Sequence, residues 1–498
     1  MSDAGGAPVA TTAVGDDALG PEEGSVAVLG ELLGLRPVNG GAAPETHRAF
    51  PNAEHPRFYV PITSRRAAAA SCLAYNRLRP AKVARRRSMV GWGLRTGLLQ
   101  RIQGTAMTSG APSGRFAATG TDPLGPLVDE LERRLGRGPL AYATSPRHLD
   151  PFWTPTLQLF AEDGRPVAYA KVGWTPLTRR HVTIESDTLA LLGARDDHRF
   201  RSPELLDRFD WGDAVVSVAA PMPDGVARVE PADASMGPVI ARALADVAAI
   251  DGPPTIEPFA DSGGAAWADR LVAGRAEGAP PAVEHGRRRF GEAWAVAREL
   301  VGTTPVLLGR WHGDWVPWNL ARVGNQLWVW DWEYSGERRP VGLDTYHWHY
   351  QQSHIVDGAT VPEALTRSRI LGGQSLDSSG QRADTEQVLA CAHVLELAAR
   401  SLEAAVLGAP GHEAALDDLA PLCDELVARR GPPDPERRHE VAAPLQRASQ
   451  RSAAGSGVRT RSRADPGTHG GSGGRRLGRL GPGLGGTGLH RGTARGRG

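Results

Sequence analysis

The densest set of reactive side chains lies in two short runs, Arg310-Trp-His-Gly-Asp-Trp-Val-Pro-Trp-Asn-Leu320 and Leu327-Trp-Val-Trp-Asp-Trp-Glu333. Between them, Gly324-Asn325 suits the two-residue turn of a tight hairpin. With that turn Val323 faces Gln326, Arg322 faces Leu327, and counting outward sets Asn319 opposite Trp330, beside Asp331. An amide oxygen and a carboxylate thus reach the same end of a two-stranded ribbon, while Asp314 sits on the loop that leads into it. Two hard oxygen donors and a further carboxylate suit magnesium-assisted phosphoryl transfer, because Mg²⁺ takes few protein oxygens and completes its shell with phosphate and water.

The run His312-Gly313-Asp314 with Asn319, followed by Asp331-Trp332-Glu333, resembles the HGDxxxxN and DxE signature of the aminoglycoside phosphotransferase and choline kinase family, which has a protein-kinase-like fold. By that resemblance Asp314 orients the acceptor hydroxyl and takes its proton, and Asn319 and Asp331 hold Mg²⁺. His312 belongs to the same catalytic loop and is expected to brace it rather than act as the base. Glu333 is expected as a supporting or metal contact. Asp344, in Gly342-Leu343-Asp344, matches a later aspartate that supports the catalytic loop, with an exposed turn as the other reading.

The resemblance also demands a cation upstream to grip the nucleotide phosphates, paired with a glutamate on the following helix. Only two residues of the 57 Lys+Arg are lysine, Lys82 and Lys171. Lys171 falls on a candidate strand, Val167–Gly173, and Glu185 lies in the next helix candidate, so a compact ammonium stands where an arginine fork would serve less well. Ala219 to Pro223 is then the hinge that receives the base of ATP or GTP. The stretch Tyr142–Trp153, which should cover the phosphates, has no GxGxxG.

These side chains need an α+β scaffold of two lobes: a small antiparallel β-sheet N-lobe with one helix, over about 139–223, and a larger, mainly helical C-lobe over 224–430. Strand signals at Thr156–Phe160 and Val167–Trp174 flank the turn Glu162-Asp163-Gly164-Arg165 and predict a hairpin. A helix is expected over Val182–Leu192 and a strand over Ala214–Ala220. Helical spacing predicts helices at Gly237–Ile250, Ala282–Val301, Thr385–Leu407 and His412–Arg430. Residues 1–55 read as a flexible leader with one apolar patch, Val26 to Leu35, and 431–498 as a disordered Gly/Arg-rich tail.

Residues 56–138 form a basic, partly helical N-terminal extension that the resemblance does not explain. No acid occurs from His55 to Thr121, and helices are expected near Arg65–Arg79 and Val83–Gln103. Either this segment presents a basic face to an anionic membrane surface, glycan or nucleic acid, or its helices lie on the acidic body. The formal charge of +1 over 498 residues averages a tail, 451–498, with ten arginines and one acid against a body of 47 basic and 55 acidic residues. Nucleic-acid binding by the tail is disfavoured, since it has no aromatic residue to stack on bases.

Seven of the thirteen tryptophans fall within 311–348, where they either fill the core under the loop or face a sugar or amine. Acidic residues of the last two helices either form a solvated face or receive a cationic substrate. Cys72, Cys391 and Cys423 have no metal or disulfide spacing and read as small apolar filler. With no apolar leader and no integral membrane segment, the chain reads as cytoplasmic. The leading expectation is a phosphotransferase that moves the γ-phosphate of ATP or GTP, with Mg²⁺, to a hydroxyl of a small molecule such as an aminoglycoside, sugar or amino alcohol. The alternative is a kinase-fold binding or regulatory protein that sits on an anionic surface through its basic segment.

Overall fold

Leu157 and Leu159 on one strand and Ala168, Ala170 and Val172 on the next are sealed from solvent, which fixes the face each strand turns inward. These strands, Thr156–Phe160 and Pro166–Gly173, are the second and third of a five-stranded antiparallel sheet. Its order is Ala141–Ala143, Thr156–Phe160, Pro166–Gly173, Ala214–Ala219, Leu205–Trp211. The expected hairpin turn is closed by Gly164 N donating to Ala161 O at 2.9 Å, with Gly164 at φ 84°. The computed structural model describes residues 23–38, 44–99, 104–117, 124–195, 197–230, 233–274, 279–378 and 385–430.

The helix that follows the sheet hairpin runs Pro176–Gly193 and so begins well before the expected Val182. Thr175 and Thr178 form a capping box and Pro176 takes the first helical position, start signals that outweigh the polar run Thr178-Arg-Arg-His181. Below the sheet, helices Gly237–Ala248, Pro281–Val301, Glu386–Val406 and His412–Ala428 lie where helical spacing put them. Three more, Gly263–Ala273, Leu343–Gln351 and Val361–Ser378, were not anticipated. Two of these carry adjacent glycines, which argue against helix by propensity. Packing overrides that preference: a Cβ on Gly372 would strike the Tyr346 ring. The helical core gathers Phe290, Trp294, Leu343, Tyr346, Leu389, Leu395, Leu402 and Leu419.

The motif hairpin pairs Leu320–Val323 with Gln326–Val329 in the expected register, Val323 with Gln326 and Arg322 with Leu327. Ala227–Arg228 extends it on one side, and Phe200–Arg201 joins it in parallel on the other. The lobes are therefore interleaved: Phe200, expected inside the N-lobe, packs with Trp332 in the cluster under the hairpin.

The N-terminal expectations need correction. The leader does not extend to residue 55, because Glu23–Leu33 is a helix and His47–Phe50 a strand. Val28, Leu29, Leu32 and Leu33 repeat at helical spacing and are 3% exposed or less, a signal masked by the surrounding Gly, Ala and Pro. Nor is 56–138 a separate extension. Strands Arg36–Pro37, Thr105–Thr108, His47–Phe50 and Phe58–Pro61 form a four-stranded sheet in that order. Its core, with Leu29, Leu32 and Met107, merges with Leu157, Leu159 and Val216 of the five-stranded sheet. Tyr59 N donates to Thr144 O at 2.8 Å and His47 Nε2 lies 3.0 Å from Tyr142 O, which stitches the two sheets together. Helices Arg65–Leu73 and Ala81–Thr96 occupy the two basic stretches. The three cysteines are buried and unbridged. Among the described residues no helix is long and apolar enough to cross a membrane. The Gly/Arg-rich tail, 431–498, lies outside the described residues.

Candidate active site

Lys171 is paired across the sheet with Thr156 and Ser217, and its side chain reaches from the five-stranded sheet to the motif hairpin. Its Nζ lies 3.0 Å from Glu185 Oε1 and 2.8 Å from Glu185 Oε2, on the helix Pro176–Gly193. The same ammonium bonds Asp331 Oδ1, at the far end of the motif hairpin. Burial opposes the charge on Lys171, but the carboxylates of Asp331 and Glu185 outweigh it and hold the ammonium protonated well above its usual range. Glu185, 7% exposed, is raised by the same burial. Glu333 is half-buried, and burial, followed by the charge of Asp331, pushes its carboxyl well above the ordinary range. One ammonium thus faces three carboxylates.

Asp314 has both carboxylate oxygens engaged. Asn319 Nδ2 donates to Oδ2 at 2.8 Å, and His347 Nε2 lies 3.0 Å from Oδ1. Burial favours its neutral form, yet the hydrogen bond from His347, aided by the Arg400 guanidinium, prevails and lowers its pKa. Asn319 also donates to the Asp314 carbonyl at 3.1 Å, while Trp330 N donates to Asn319 O at 3.3 Å. These bonds place Asn319 beside Asp331, as the hairpin register required. Asp331 itself adopts φ 70°, an uncommon conformation for a residue other than glycine and one that clusters at functional sites.

His312 is fully buried, its Nδ1 accepting from Asp314 N at 3.1 Å and its Nε2 lying 3.0 Å from Trp330 O. Burial lowers its pKa to about 4, so the ring is neutral and donates from Nε2. It joins the loop to the hairpin and has no nitrogen left for a substrate proton. Asp344 accepts from His312 N at 2.8 Å and from Gly313 N at 2.9 Å, and burial raises its pKa to about 6. It is 5% exposed, so the exposed-turn reading is wrong. Gly313, at φ 88°, is confined to glycine for a second reason: a Cβ would collide with the Tyr334 carbonyl.

Three contributors escaped the sequence reading. His347 holds Asp314, and its other nitrogen lies 3.4 Å from His393 Nε2, both rings being buried and neutral. Arg400 donates to Gly313 O at 2.8 Å and lies over the rings of Tyr334 and Trp311 at 4.1 and 5.2 Å. Tyr75, between the two basic helices, donates its hydroxyl to Met222 O at 2.7 Å, at the segment expected to be the hinge. The hinge keeps few donors, because Pro221 and Pro223 lack N–H and Ala220 N is given to Glu204 O at 2.7 Å.

A cavity of about 60 Å³ adjoins the loop, walled by Phe152, Trp267, Trp311, Glu333, Tyr334 and Arg400. Phe152, near the end of the stretch without GxGxxG, stacks on His181 at 6.0 Å. The tryptophans divide: Trp311, Trp315 and Trp332 are buried, whereas Trp318, Trp328, Trp330 and Trp348 are half-buried. Of the acidic residues in the last helices, Glu396 and Glu403 do not belong to a solvated face. They are buried and form ion pairs with Arg339 and Arg180, the second joining the sheet lobe to the helical lobe.

No family model and no curated protein matches the chain. Among solved structures it is similar to a thermostable mutant of the aminoglycoside phosphotransferase APH(4)-Ia in its apo form, at TM-score 0.40 and 12% identity, over 61% of this chain and 99% of that one. It is similar to a choline/ethanolamine kinase family protein from Mesorhizobium loti at TM-score 0.33 and 16% identity, over 63% and 98% of the two chains. A glucosamine kinase aligns at TM-score 0.31 and 18% identity, over 55% of this chain and 80% of that one.

Proposed function

We propose that the chain is a phosphotransferase that moves the γ-phosphoryl group of ATP or GTP to a hydroxyl of a small molecule. What supports this reading is a pair of side-chain constellations joined through the motif hairpin. In one the Lys171 ammonium is bracketed by Glu185 and Asp331. In the other, the Asp314 carboxylate is held by Asn319 and His347. The first suits the phosphates of a nucleotide and the second suits an acceptor hydroxyl.

The residues also fit a magnesium ion. Asn319 commits its amide nitrogen to Asp314, which leaves Oδ1 as its acceptor, and Asp331 supplies a carboxylate. Among the described residues no group of three or more His, Cys, Asp or Glu forms a cage of its own. Mg²⁺ needs no such cage when phosphates complete its shell, and it would balance the carboxylate charge that, after burial, keeps Glu333 hard to ionise. When bound, the ion would neutralise charge on the phosphate oxygens.

Asp314, ionised at neutral pH, aligns the acceptor hydroxyl and takes its proton as the oxygen bonds to the γ-phosphorus. The bond from that phosphorus to the bridging oxygen breaks, and the nucleoside diphosphate leaves. Lys171 holds the phosphates in line, Glu185 and Asp331 hold Lys171, and His312 with Asp344 keeps the loop in place. Thermal shift tests the nucleotide half: magnesium with ATP or GTP raises the unfolding temperature of the wild type, and Lys171→Ala removes most of the rise. The absence of a shift with either nucleotide would sink the reading.

A further inference from the structure

Helix Ala81–Thr96 rests one side on helix Arg65–Leu73. Leu94 is buried against it, and Gly91 packs so closely on Leu73 that a Cβ would clash. The opposite side carries Lys82, Arg85, Met89 and Trp92, spaced by three and four residues and therefore aligned on one face. Met89 is 71% exposed, Trp92 59% and, just past the Gly97 cap, Leu98 61%. Of the ten large apolar side chains exposed among the described residues, these three fall within a single stretch of ten residues. Arg95 extends the cationic rim, its guanidinium 5.6 Å from the Trp92 ring centroid.

This arrangement does not suit helices that merely lie on an acidic body, since Lys82, Arg85 and Arg95 point to solvent. Arg87 does turn inward, but it donates to the Ser71 carbonyl at 3.0 Å rather than to a carboxylate. No acid occurs between His55 and Thr121, so the segment carries no negative charge of its own to repel an anionic surface. We propose that this face docks on an anionic phospholipid surface. Met89, Trp92 and Leu98 enter the boundary between headgroups and acyl chains, and Lys82, Arg85 and Arg95 meet the headgroup phosphates. A nucleic acid would use the cations but leave Met89 and Leu98 in water, with one aromatic ring for stacking. The proposal is independent of the phosphotransferase reading.

Co-sedimentation of the full chain with vesicles tests it, comparing phosphatidylcholine alone with phosphatidylcholine mixed with phosphatidylglycerol. Binding is expected to the mixed vesicles only and to weaken as salt rises. Met89→Ser with Trp92→Ser, and separately Lys82→Glu with Arg85→Glu, should each weaken it at least about tenfold. Because all four side chains are exposed, the unfolding temperature should stay at the wild-type value. Four results would overturn the proposal: no vesicle binding, equal binding to neutral vesicles, binding that survives both double substitutions, or substitution-sensitive binding to oligonucleotides in place of vesicles.

Discussion

At the scale of single residues, the geometry makes Lys171 and His347 sensitive in different ways. Lys171 is a point charge shared by two carboxylates, and a planar guanidinium fork cannot keep both contacts in the same space. Lys171→Arg should lower kcat/KM for the nucleotide on the order of 10²-fold, as loss of a preorganised phosphate clamp does. Steady-state kinetics with varied nucleotide checks this. His347 acts through Asp314, whose carboxyl its hydrogen bond helps hold below the ordinary range. Without that bond the Asp314 pKa rises, so activity should fail at a higher pH as the solution is acidified. His347→Phe should move the acid limb of the kcat/KM profile upward and lower kcat roughly tenfold at neutral pH. His347→Gln, which can still donate, should recover part of the loss. An unmoved acid limb would make the contact merely structural. The motif residues were legible because His312 to Glu333 are close in sequence. His347 and Arg400 stand 33 and 87 residues from their partners Asp314 and Gly313, on helices whose local spacing carries no trace of the contact.

At the scale of elements, the sequence was readable wherever local chemistry decides conformation. Gly324-Asn325 set the hairpin register, and that register alone brought Asn319 beside Asp331. The start of the helix Pro176–Gly193 was equally local, in Thr175-Pro176 with Thr178, but the polar first turn hid it. The N-terminal strands were not readable, because two to four residues are too few to display alternation and their partners are distant. His47 reports on this hidden sheet. Burial lowers its pKa to about 4, against about 6.5 in an unfolded chain, so the unfolded state binds more protons between those values. Its contribution to stability is full above pH 6.5 and is lost as pH falls toward 4. The stability gap between wild type and His47→Gln should therefore narrow by roughly 2–3 kcal/mol between pH 7 and pH 4.5 in urea titrations. A pH-independent gap would mean that His47 is not held neutral between the sheets.

At the scale of the whole molecule, the shared core is the main departure from the sequence reading. A Gly/Ala/Pro-rich start and an acid-free stretch from His55 to Thr121 predict a flexible leader and a basic extension ahead of a kinase-like body. Instead Leu29, 0% exposed, packs in the same cluster as the sheet that carries Lys171. Leu29→Ala should cost about 2–5 kcal/mol and lower the unfolding of that sheet as one transition. Calorimetry that found only a minor early transition displaced would show the N-terminal sheet to be independent. The Lys171 and Asp314 constellations that this core supports are where phosphoryl transfer is expected. The most direct test is mass spectrometry of a panel of hydroxyl-bearing small molecules incubated with the full chain, magnesium and ATP or GTP. An acceptor should gain one phosphoryl group on a hydroxyl, and Asp314→Asn should slow the transfer by about 10²- to 10⁴-fold while nucleotide binding is retained. Transfer by Asp314→Asn at the wild-type rate would contradict this expectation.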